Sequence, residues 1–529
     1  MLTKPFSGPT GLPKQTKSLC PECRKRIDAR IFEEDGKAMM EKTCPEHGTF
    51  KDVVWSDAEM YIEAERFARD GIGIENPRTK KENGCPGDCG LCPEHKSFTA
   101  LANVDLTNRC NLRCPICFAN ANAAGYVFEP DLDTIVKMLE NLRANKPVPT
   151  PAVQFSGGEP TVYPQFFEAI EAARDLGFVQ IQVATNGILM AKREGFTQRM
   201  LDSGVHTVYL QFDGFKEENY IAARGVPLLD TKMKAIESCR NTKPKPLSTV
   251  LVPTVVKTIN DDQVGQIVDF AVENRDVIRA VNFQPVAFTG RIDQEQREKE
   301  RFTLTDLVHE LVRQTDYLKK EDFFTVPSVV PISELTSAIT KIPKPVFTPH
   351  PHCGIAAYLY VDDNGKPVPI TQFIDVQGMF DQMWNLTKKA NNPLVQFAIG
   401  LRTRKMDDKK KQESLAKNFH KYFGEYIDWD NAPKGFDIIT LIGNMMAEGE
   451  KEQLSEIAWR TIMVGAMHFQ DLYNYDIERV SRCCIHYAVP DGRIIPFCSY
   501  NGGPTYREEV EKKYSISLEE YKSKKGGQG

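Results

Sequence analysis

The sequence carries little net charge and no long hydrophobic run. Its 67 basic and 72 acidic residues leave a formal charge of −5, so no broad basic surface for nucleic acid is predicted. The first thirty residues hold no apolar signal core, and no uninterrupted apolar stretch is long enough to span a bilayer. With 41% hydrophobic residues the chain is typical of a globular protein, which we expect in the cytoplasm. Its 529 residues are enough for two to four domains.

Cysteine, in contrast, is abundant, with 14 residues. A secreted disulfide protein normally begins with a signal peptide and does not cluster its cysteines as CxxC and CxxxCxxC, so we interpret the clusters as metal or iron–sulfur ligands. Only Cys239 stands alone, and we interpret it as a small buried hydrophobe. The other thirteen form four groups: Cys20, Cys23 and Cys44; Cys85, Cys89 and Cys92; Cys110, Cys114 and Cys117; and Cys353, Cys483, Cys484 and Cys498.

Residues 1–60 contain the first group, in "CPECRKRIDARIFEEDGKAMMEKTCPEHG". Two short cysteine turns around a polar stretch resemble a zinc-ribbon or rubredoxin-like module, which holds one ion in a region too small for its own core. Cys20, Cys23 and Cys44 are three ligands for one iron or zinc ion. The fourth is His47 or a cysteine of the next group, unless His47 simply faces solvent.

Strand-like and helix-like stretches alternate from residue 101 to about 290. Apolar strands followed by amphipathic helices indicate repeated βα units and a parallel sheet. The pattern alone allows an open doubly wound sheet or an incomplete β/α barrel, both with their chemistry at the C-terminal strand ends. The strands are "LANVDLT", "AVQFSG", "VQIQVATN", "VHTVYLQFDG", "STVLVPTVV" and "AVNFQPV"; the helices include "DLDTIVKMLENLRAN", "PQFFEAIEAARDLG" and "DDQVGQIVDFAVEN".

Three motifs follow the first three strands. The run "RCNLRCPICFANAN" places Cys110, Cys114 and Cys117 after the first strand, "SGGEP" follows the second and "ATNG" the third. Gly157 and Gly158 permit close approach of the backbone to a ligand, and Glu159 offers a carboxylate to an ammonium group. A set of three cysteines leaves one position of a four-ligand metal site open.

Together with "GGEP", this triplet resembles the radical S-adenosylmethionine superfamily. The resemblance implies a partial (β/α)6 barrel with a [4Fe-4S] cluster on Cys110, Cys114 and Cys117, whose fourth iron is left open for S-adenosylmethionine. It also implies that Gly157, Gly158 and Glu159 bind the methionyl ammonium group. Five further residues would line the nucleoside or substrate side: Thr185, Asn186, Gly187, Gln211 and Asp213.

The two remaining cysteine groups resemble auxiliary-cluster ligands of this superfamily. Residues 61–100 form an auxiliary segment with Cys85, Cys89 and Cys92, followed closely by His95. Residues 291–529 are expected to be a C-terminal helical region that carries Cys353, Cys483, Cys484 and Cys498. We expect one or two auxiliary iron–sulfur clusters here. Because adjacent residues point differently on an extended backbone, Cys483 and Cys484 need not bind the same metal.

The order of motifs along the whole chain resembles the archaeal tetraether lipid synthase family and its homologues. That resemblance implies radical coupling of two isoprenoid chains of archaeol-type lipids, by a bond between terminal methyl carbons, to give tetraether or macrocyclic lipids. It implies a lipid substrate, peripheral membrane contact and an electron donor such as ferredoxin or flavodoxin. Residues 436–469, with four methionines, suit either an apolar tunnel or an ordinary helical core.

Two other functions stay open. Homologues in this group include radical methyltransferases that act on the pterin precursor 7,8-dihydro-6-hydroxymethylpterin in methanopterin biosynthesis. The chain contains no recognisable cobalamin-binding unit, although a methylenated folate as methyl donor would leave no trace in the sequence. The third function is a non-catalytic iron–sulfur electron carrier, which needs neither an open cluster nor "GGEP".

Overall fold

An antiparallel unit begins the chain in the computed structural model, which describes residues 1–391, 421–436 and 459–526. Strands β2 to β5 pair in chain order, and β1 pairs separately with β6. Alternate residues of β4 are buried, because one face of this sheet packs against the rest of the protein. The elements are β1 (Thr3–Pro5), β2 (Lys14–Leu19), β3 (Arg26–Glu34), β4 (Lys37–Cys44), β5 (Gly48–Trp55), α1 (Ala58–Ala64) and β6 (Arg69–Gly71).

Two turns at one end of this sheet bring four donor atoms together. The sulfur atoms of Cys20, Cys23 and Cys44 and a ring nitrogen of His47 all lie within 4.8 Å of one another. His47 Nδ1 is 3.7 Å from Cys20 Sγ and 3.5 Å from Cys44 Sγ, and the sulfurs of Cys23 and Cys44 are 3.9 Å apart. A tetrahedron of ligands about 2.3 Å from one ion has edges of about 3.8 Å. The four residues therefore fit a single zinc or iron ion, with His47 as the fourth ligand.

The parallel sheet follows, and its strands lie where the sequence predicts them. β7 and β9 coincide with "LANVDLT" and "AVQFSG". Helix α2 begins after Asp131, whose carboxylate accepts a hydrogen bond from the Thr134 amide, and it buries a stripe of apolar residues with helical spacing. The strands are β7 (Leu101–Thr107), β8 (Tyr126–Phe128), β9 (Ala152–Gly157), β10 (Gln180–Thr185), β11 (Thr207–Gln211), β12 (Ser248–Val252), β13 (Thr254–Val255) and β14 (Ile278–Pro285). The helices are α2 (Leu132–Arg143), α3 (Phe166–Asp175), α4 (Ile188–Lys192), α5 (Phe196–Ser203), α6 (Glu217–Arg224), α7 (Leu229–Arg240) and α8 (Val264–Glu273).

The chain beyond residue 291 contributes strands as well as the expected helices. Met463 and Met467 lie on a strand, whereas Met445 and Met446 lie outside the described residues. The elements up to residue 467 are α9 (Arg297–Glu300), α10 (Leu304–Gln314), β15 (Phe324–Thr325), α11 (Val330–Thr340), β16 (Gly354–Val361), β17 (Pro367–Pro369), α12 (Val376–Ala390) and β18 (Thr461–Met467). After them come α13 (Ile477–Val480), β19 (Ile485–Ala488), β20 (Ile494–Pro496), α14 (Phe497–Asn501), α15 (Tyr506–Lys513), β21 (Ser515–Ser517) and α16 (Leu518–Gly526).

Two of these late strands extend the parallel sheet at both edges. β18 pairs in parallel with β14, and β19 pairs in parallel with β7, so eight consecutive strands run parallel in the order β18-β14-β12-β11-β10-β9-β7-β19. The six strands implied by the superfamily resemblance are present as the central six. The connection from β18 to β19, residues 468–484, thereby links the two edges of the six-stranded unit and carries Cys483 and Cys484.

This connection is held by buried charged groups. The Arg301 guanidinium donates to Asp52 of the N-terminal sheet, at 2.8 Å, and to both carboxylate oxygens of Asp471. The buried Lys42 ammonium donates to Ser18 Oγ and to the Leu472 carbonyl, and burial lowers its pKa to about 7. The N-terminal sheet and the connection therefore share one polar network that excludes water.

No helix in the described part of the chain is long and apolar enough to cross a lipid bilayer.

Replacing both Cys20 and Cys23 by serine should remove about one metal ion per chain and destabilise the N-terminal sheet, because metal binding in so small a unit supplies folding energy. Metal analysis by mass spectrometry and thermal unfolding measure the two effects. The Cys239→Ala variant, which removes a buried thiol far from any cysteine group in the sequence, should keep the full metal content. Unchanged metal content in the double variant would contradict the assignment.

Replacing Arg301 by methionine should lower the free energy of unfolding by about 3–5 kcal/mol, because Asp52 and Asp471 then lose a cation that they share inside the protein. Denaturant unfolding of the metal-loaded protein measures this change. The control is Lys234→Met, which breaks the exposed ion pair with Asp230 and should change stability little. Equal effects of the two substitutions would contradict a structural role for Arg301.

Candidate active site and metal-binding cysteine groups

Cys110, Cys114 and Cys117 lie in the loop after β7 and line a cavity of about 280 Å³ at the C-terminal ends of the parallel strands. The amide of Cys117 donates to the Arg291 carbonyl at 2.9 Å, and the Arg291 amide donates back to the Cys117 carbonyl at 2.9 Å. The Arg291 guanidinium also donates to the Cys114 carbonyl at 2.6 Å. A residue after β14 thus fixes two of the three cysteines, a role that the sequence analysis did not assign to Arg291.

The backbone leading into this arginine requires glycine. Gly290 has φ of +68°, and a Cβ there would lie 2.4 Å from the Phe118 carbonyl oxygen. A side chain at this position would push the cysteine loop away. Asn122 holds the other end of the loop, because its side-chain amide donates to the carbonyls of Cys110 and Leu112 at 2.7 and 2.9 Å.

The three thiols occupy a poorly solvated site. Burial raises the pKa of Cys110 to about 12, and burial also raises the pKa of Cys114, which the nearby Arg224 guanidinium opposes. Iron ligation requires thiolates, and bound iron would ionise these groups directly. Three half-buried cysteines that line one cavity are a donor set that fits a cluster held by three protein ligands.

The "GGEP" loop borders the same cavity at the end of β9. A Cβ on Gly158 would lie 2.3 Å from the Arg109 carbonyl oxygen, so glycine lets this loop lie directly against the cysteine loop. Glu159 is buried, and its carboxylate accepts hydrogen bonds from Thr161, from Thr185 Oγ1 at 2.6 Å and from the Asn186 amide at 2.8 Å. In this geometry the carboxylate joins the ends of β9 and β10, and its role toward an ammonium group stays a prediction.

Thr185, Asn186 and Gln211 line the cavity as expected, together with Gly157, Gly158 and Glu159. Asp213 is instead fully buried and forms an ion pair with Arg224, of which two guanidinium nitrogens, Nε and Nη2, donate to the carboxylate at 2.8 Å each. Arg224 itself lines the cavity. Gly187 has φ of +78° and lies against Leu210 and Ala235. It forms the turn that leads into α4.

Lys232 is a further buried residue that the sequence analysis missed. Its ammonium donates to the Asn186 carbonyl at 2.6 Å and to Gln211 Oε1 at 2.8 Å, and burial lowers its pKa to about 7. In the sequence, this lysine shares the buried stripe of α7 with Ala235, Ile236 and Cys239. A lysine on an apolar helical stripe is unusual, and that pattern could have indicated a positioning role.

Other walls of the cavity combine amides with aromatic rings. Side chains from three parallel strands, β7, β9 and β14, line it with carboxamide groups: Asn103, Gln154, Asn282 and Gln284. Gln154 Nε2 donates to Asn103 Oδ1 at 2.9 Å, whereas Gln154 Oε1 is buried without a hydrogen-bond partner among the described residues. Phe469 and Phe497 stack at 3.7 Å between ring centres, and Cys498 lies beside them in the same wall. The cavity therefore offers both hydrogen-bonding groups and flat apolar surfaces.

The C-terminal cysteines do not all face one another. Burial, together with Cys498 and Cys353 nearby, raises the pKa of Cys483, and the guanidinium of Arg479 interacts with both Cys353 and Cys498. Cys484 points elsewhere, toward Ser97 and Thr348, and burial raises its pKa to about 12. Arg479 thus lies near Cys353 and Cys498, and Cys483 lies near the same two cysteines, whereas the thiol of Cys484 has its hydrogen-bonding partners at Ser97 and Thr348.

The group at residues 85–92 lines a second cavity of about 260 Å³, together with His95. Cys89 Sγ lies 3.2 Å from Ser499 Oγ, so this group also touches the C-terminal region. Among the described residues, only the N-terminal set of Cys20, Cys23, Cys44 and His47 has its donor atoms within 4.8 Å of one another. The wider spacing of the other groups suits a bound cluster better than a single ion.

Comparison with known proteins identifies two regions of the chain. Residues 12–56 match the model for the HMPTM N-terminal zinc ribbon domain, and residues 104–271 match that of the radical SAM superfamily. These matches confirm the fold class and, with it, the [4Fe-4S] cluster, S-adenosylmethionine and a mononuclear metal site. The structure places the cysteines of each match where such groups fit.

A relative of full length comes from Methanocaldococcus jannaschii. The two chains are 48% identical over 512 residues, which is 96% of this chain and 97% of the relative, a 7,8-dihydro-6-hydroxymethylpterin dimethyltransferase. A GTP 3′,8-cyclase from Thermodesulfovibrio yellowstonii is 25% identical over 40% of this chain and 62% of its own length. The solved structure of SuiB from Streptococcus suis bound to the peptide SuiA aligns with TM-score 0.33 and 20% identity, over 42% of this chain and 46% of SuiB.

The full-length relative contradicts the expectations of lipid-chain coupling and of an archaeol-type lipid partner. The physical reason is that the motifs behind those expectations hold the cofactors and metals, not the substrate. Their order along the chain is therefore common to enzymes with different substrates. By its sequence along nearly its whole length, the chain belongs to the radical S-adenosylmethionine superfamily and, within it, to the same family as the dimethyltransferase of Methanocaldococcus jannaschii.

Proposed function

We propose that the protein is a radical S-adenosylmethionine methyltransferase that acts on 7,8-dihydro-6-hydroxymethylpterin or a closely similar dihydropterin. The activity named for the 48% identical relative supports this proposal. The structural observation that carries it is the cavity at the ends of the parallel strands, which is lined both by carboxamide side chains and by the cysteine triplet. A pterin presents amide-like donors and acceptors along its edges, and carboxamides pair with such groups.

The aromatic wall supports the same substrate class. Phe469 and Phe497 present flat apolar surfaces next to Cys498, and a planar bicyclic ring can stack on such surfaces. The unpartnered Gln154 Oε1 is an acceptor that a ring N–H can satisfy, whereas a purely apolar ligand would leave it buried without a hydrogen bond. The cavity volume of about 280 Å³ is of the order found for small-molecule sites.

The protein's own groups hold and shield the cofactors. Cys110, Cys114 and Cys117 would bind the [4Fe-4S] cluster, and the glycines of "GGEP" let S-adenosylmethionine lie against the backbone. When bound and reduced, this pair supplies a carbon radical that can remove hydrogen from a C–H bond with no useful acidity. Asp213 holds the Arg224 side chain at the cavity wall, and Lys232 holds the end of β11 through Gln211. These buried charges keep the cavity walls in one arrangement.

We further propose iron–sulfur clusters at Cys85, Cys89 and Cys92 and at Cys353, Cys483 and Cys498. The first set lines the second cavity, and Cys498 of the second set lines the substrate cavity. Electrons would enter from a small carrier such as ferredoxin or flavodoxin. The alternative function, a non-catalytic electron carrier, is less well supported. Electron transfer alone requires neither an open cluster nor a cavity with carboxamide side chains beside it.

Replacing Cys110, Cys114 and Cys117 together by alanine should abolish formation of 5′-deoxyadenosine while the other iron stays bound, because these three cysteines would hold the cluster that binds S-adenosylmethionine. Anaerobic assays with dithionite and liquid chromatography measure the nucleoside, and iron analysis measures the remaining metal. Cys239→Ala is the matched control and should retain wild-type formation of 5′-deoxyadenosine. Formation at the native rate by the triple variant would show that the site lies elsewhere.

Incubation of the reconstituted enzyme with 7,8-dihydro-6-hydroxymethylpterin, S-adenosylmethionine, a methylenated folate and a reductant should yield a pterin heavier by one or two methyl groups, and a parallel incubation contains archaeol-type lipids in place of the pterin. Mass spectrometry detects the product, and S-adenosylmethionine labelled with ¹³C at its methyl group determines whether that methyl or a methylenated folate is the one-carbon source. The triple-alanine variant should give no methylated pterin. Unchanged pterin, with archaeol-type lipids converted in its place, would overturn the proposal.

A further inference from the structure

We propose that His95 completes the ligand set of Cys85, Cys89 and Cys92 through its Nδ1 atom, so that the protein itself fills all four positions of this iron–sulfur site. His95 is buried and lines the same cavity of about 260 Å³ as the three cysteines. The inference concerns the metal site alone and does not depend on the identity of the substrate. It rests on the orientation of the imidazole, on a repeated sequence motif and on the hydrogen bonds of the other groups in this cavity.

The imidazole of His95 is oriented by the neighbouring cysteine group. Its Nε2 lies 2.8 Å from the Cys483 carbonyl oxygen, which can only accept a hydrogen bond, so Nε2 carries the proton. His486 Nε2, at 3.2 Å from the same nitrogen, is then also an acceptor. A neutral imidazole protonated at Nε2 has its lone pair on Nδ1. Within the described parts of the chain, no group is hydrogen-bonded to that atom. Histidine ligands of metals commonly donate their second ring N–H to a carbonyl in this way.

The sequence around His95 repeats that of the N-terminal ion site. Residues 92–95 read Cys-Pro-Glu-His, and residues 44–47 read the same. The His95 N–H donates to the Cys92 carbonyl at 3.1 Å and so closes a turn over this segment. In the N-terminal segment, His47 Nδ1 lies 3.5 Å from Cys44 Sγ, within the tetrahedral set of donors. The repeated motif and the shared cavity therefore both support His95 as a ligand beside Cys92.

The carboxylates of this cavity already have partners. Asp88 accepts hydrogen bonds from three successive backbone amides of residues 82–84, at 2.6–2.9 Å. Glu94 forms an ion pair with Lys81 at 2.5 Å, and Glu478 pairs with Arg482 and with Lys96. Using any of them as a ligand would break an existing network. The imidazole lone pair is the donor that needs no rearrangement of the hydrogen bonds.

A site closed by four protein ligands differs in function from the triplet at Cys110. Catalytic metal sites keep a position for a substrate or cofactor, whereas closed sites transfer electrons or support the fold. Histidine in place of cysteine makes the reduction potential of an iron–sulfur centre more positive, because it removes a negative charge from the cluster. The hydrogen bond to Cys483 also joins this site directly to the second auxiliary group.

The test uses the full-length chain with Cys110, Cys114 and Cys117 replaced by alanine and with zinc in the N-terminal site, so that only auxiliary clusters contribute to the spectra. The protein is grown with ¹⁵N-histidine and reduced. Pulsed electron paramagnetic resonance should then detect nitrogen coupled to a reduced cluster, with the isotope shift that identifies histidine. In the same background, His95→Cys should keep the iron and sulfide content, lose the histidine coupling and shift the midpoint potential of one cluster to a more negative value.

His486→Gln is the matched control, since His486 is buried beside the same segment but faces His95 through Nε2. This variant should keep the histidine coupling. Coupling that persists in His95→Cys, or that is absent before any change at His95, would overturn the proposal. An iron content that does not fall when Cys85 and Cys89 are both replaced by alanine would overturn it as well, because no cluster would then reside at this site.

Discussion

A buried network of charges around the connection from β18 to β19 holds the parts of this protein together. Arg301 binds Asp52 of the N-terminal sheet and Asp471 of the connection, and Lys42 donates to the Leu472 carbonyl. In a low-dielectric interior each of these charges is stable only with its partners in place. The N-terminal sheet, the two edges of the parallel sheet and the C-terminal cysteines must therefore adopt one arrangement together. The position of Cys498 in the wall of the main cavity depends on it.

Burial of thiols is the second constraint. The pKa of Cys110 rises to about 12 and that of Cys498 to about 11, since burial disfavours the thiolate. Sites of this kind stay poorly ionised until a cation binds, and metal binding then supplies the compensating charge. Burial raises the pKa in the same direction at Cys114, Cys92 and Cys483. The N-terminal site differs, because backbone N–H groups lower the pKa of Cys44 to about 6 and its four donors already have the geometry of a single-ion site.

Much of the central fold was predictable because its signals are local. The predicted strands "LANVDLT" and "AVQFSG" agree with β7 and β9, and the cysteine triplet and "GGEP" lie at their C-terminal ends. Residues such as Arg291, Arg224 and Lys232 were not found, because their roles come from contacts with distant parts of the chain. The substrate class was predicted wrongly, since the cysteine groups that guided the prediction carry no information about the substrate.

By itself, the sequence determined which residues can bind metals and which strands form the parallel sheet, because ligand spacing and hydrophobic periodicity are properties of short segments. The tertiary structure alone decided which cysteines face one another. Cys483 joins Cys353 and Cys498 whereas Cys484 points to Ser97 and Thr348, a division that no linear spacing contains. It also decided that β18 and β19 flank the six central strands, because pairing between strands so distant in the chain depends on how the whole sheet is packed.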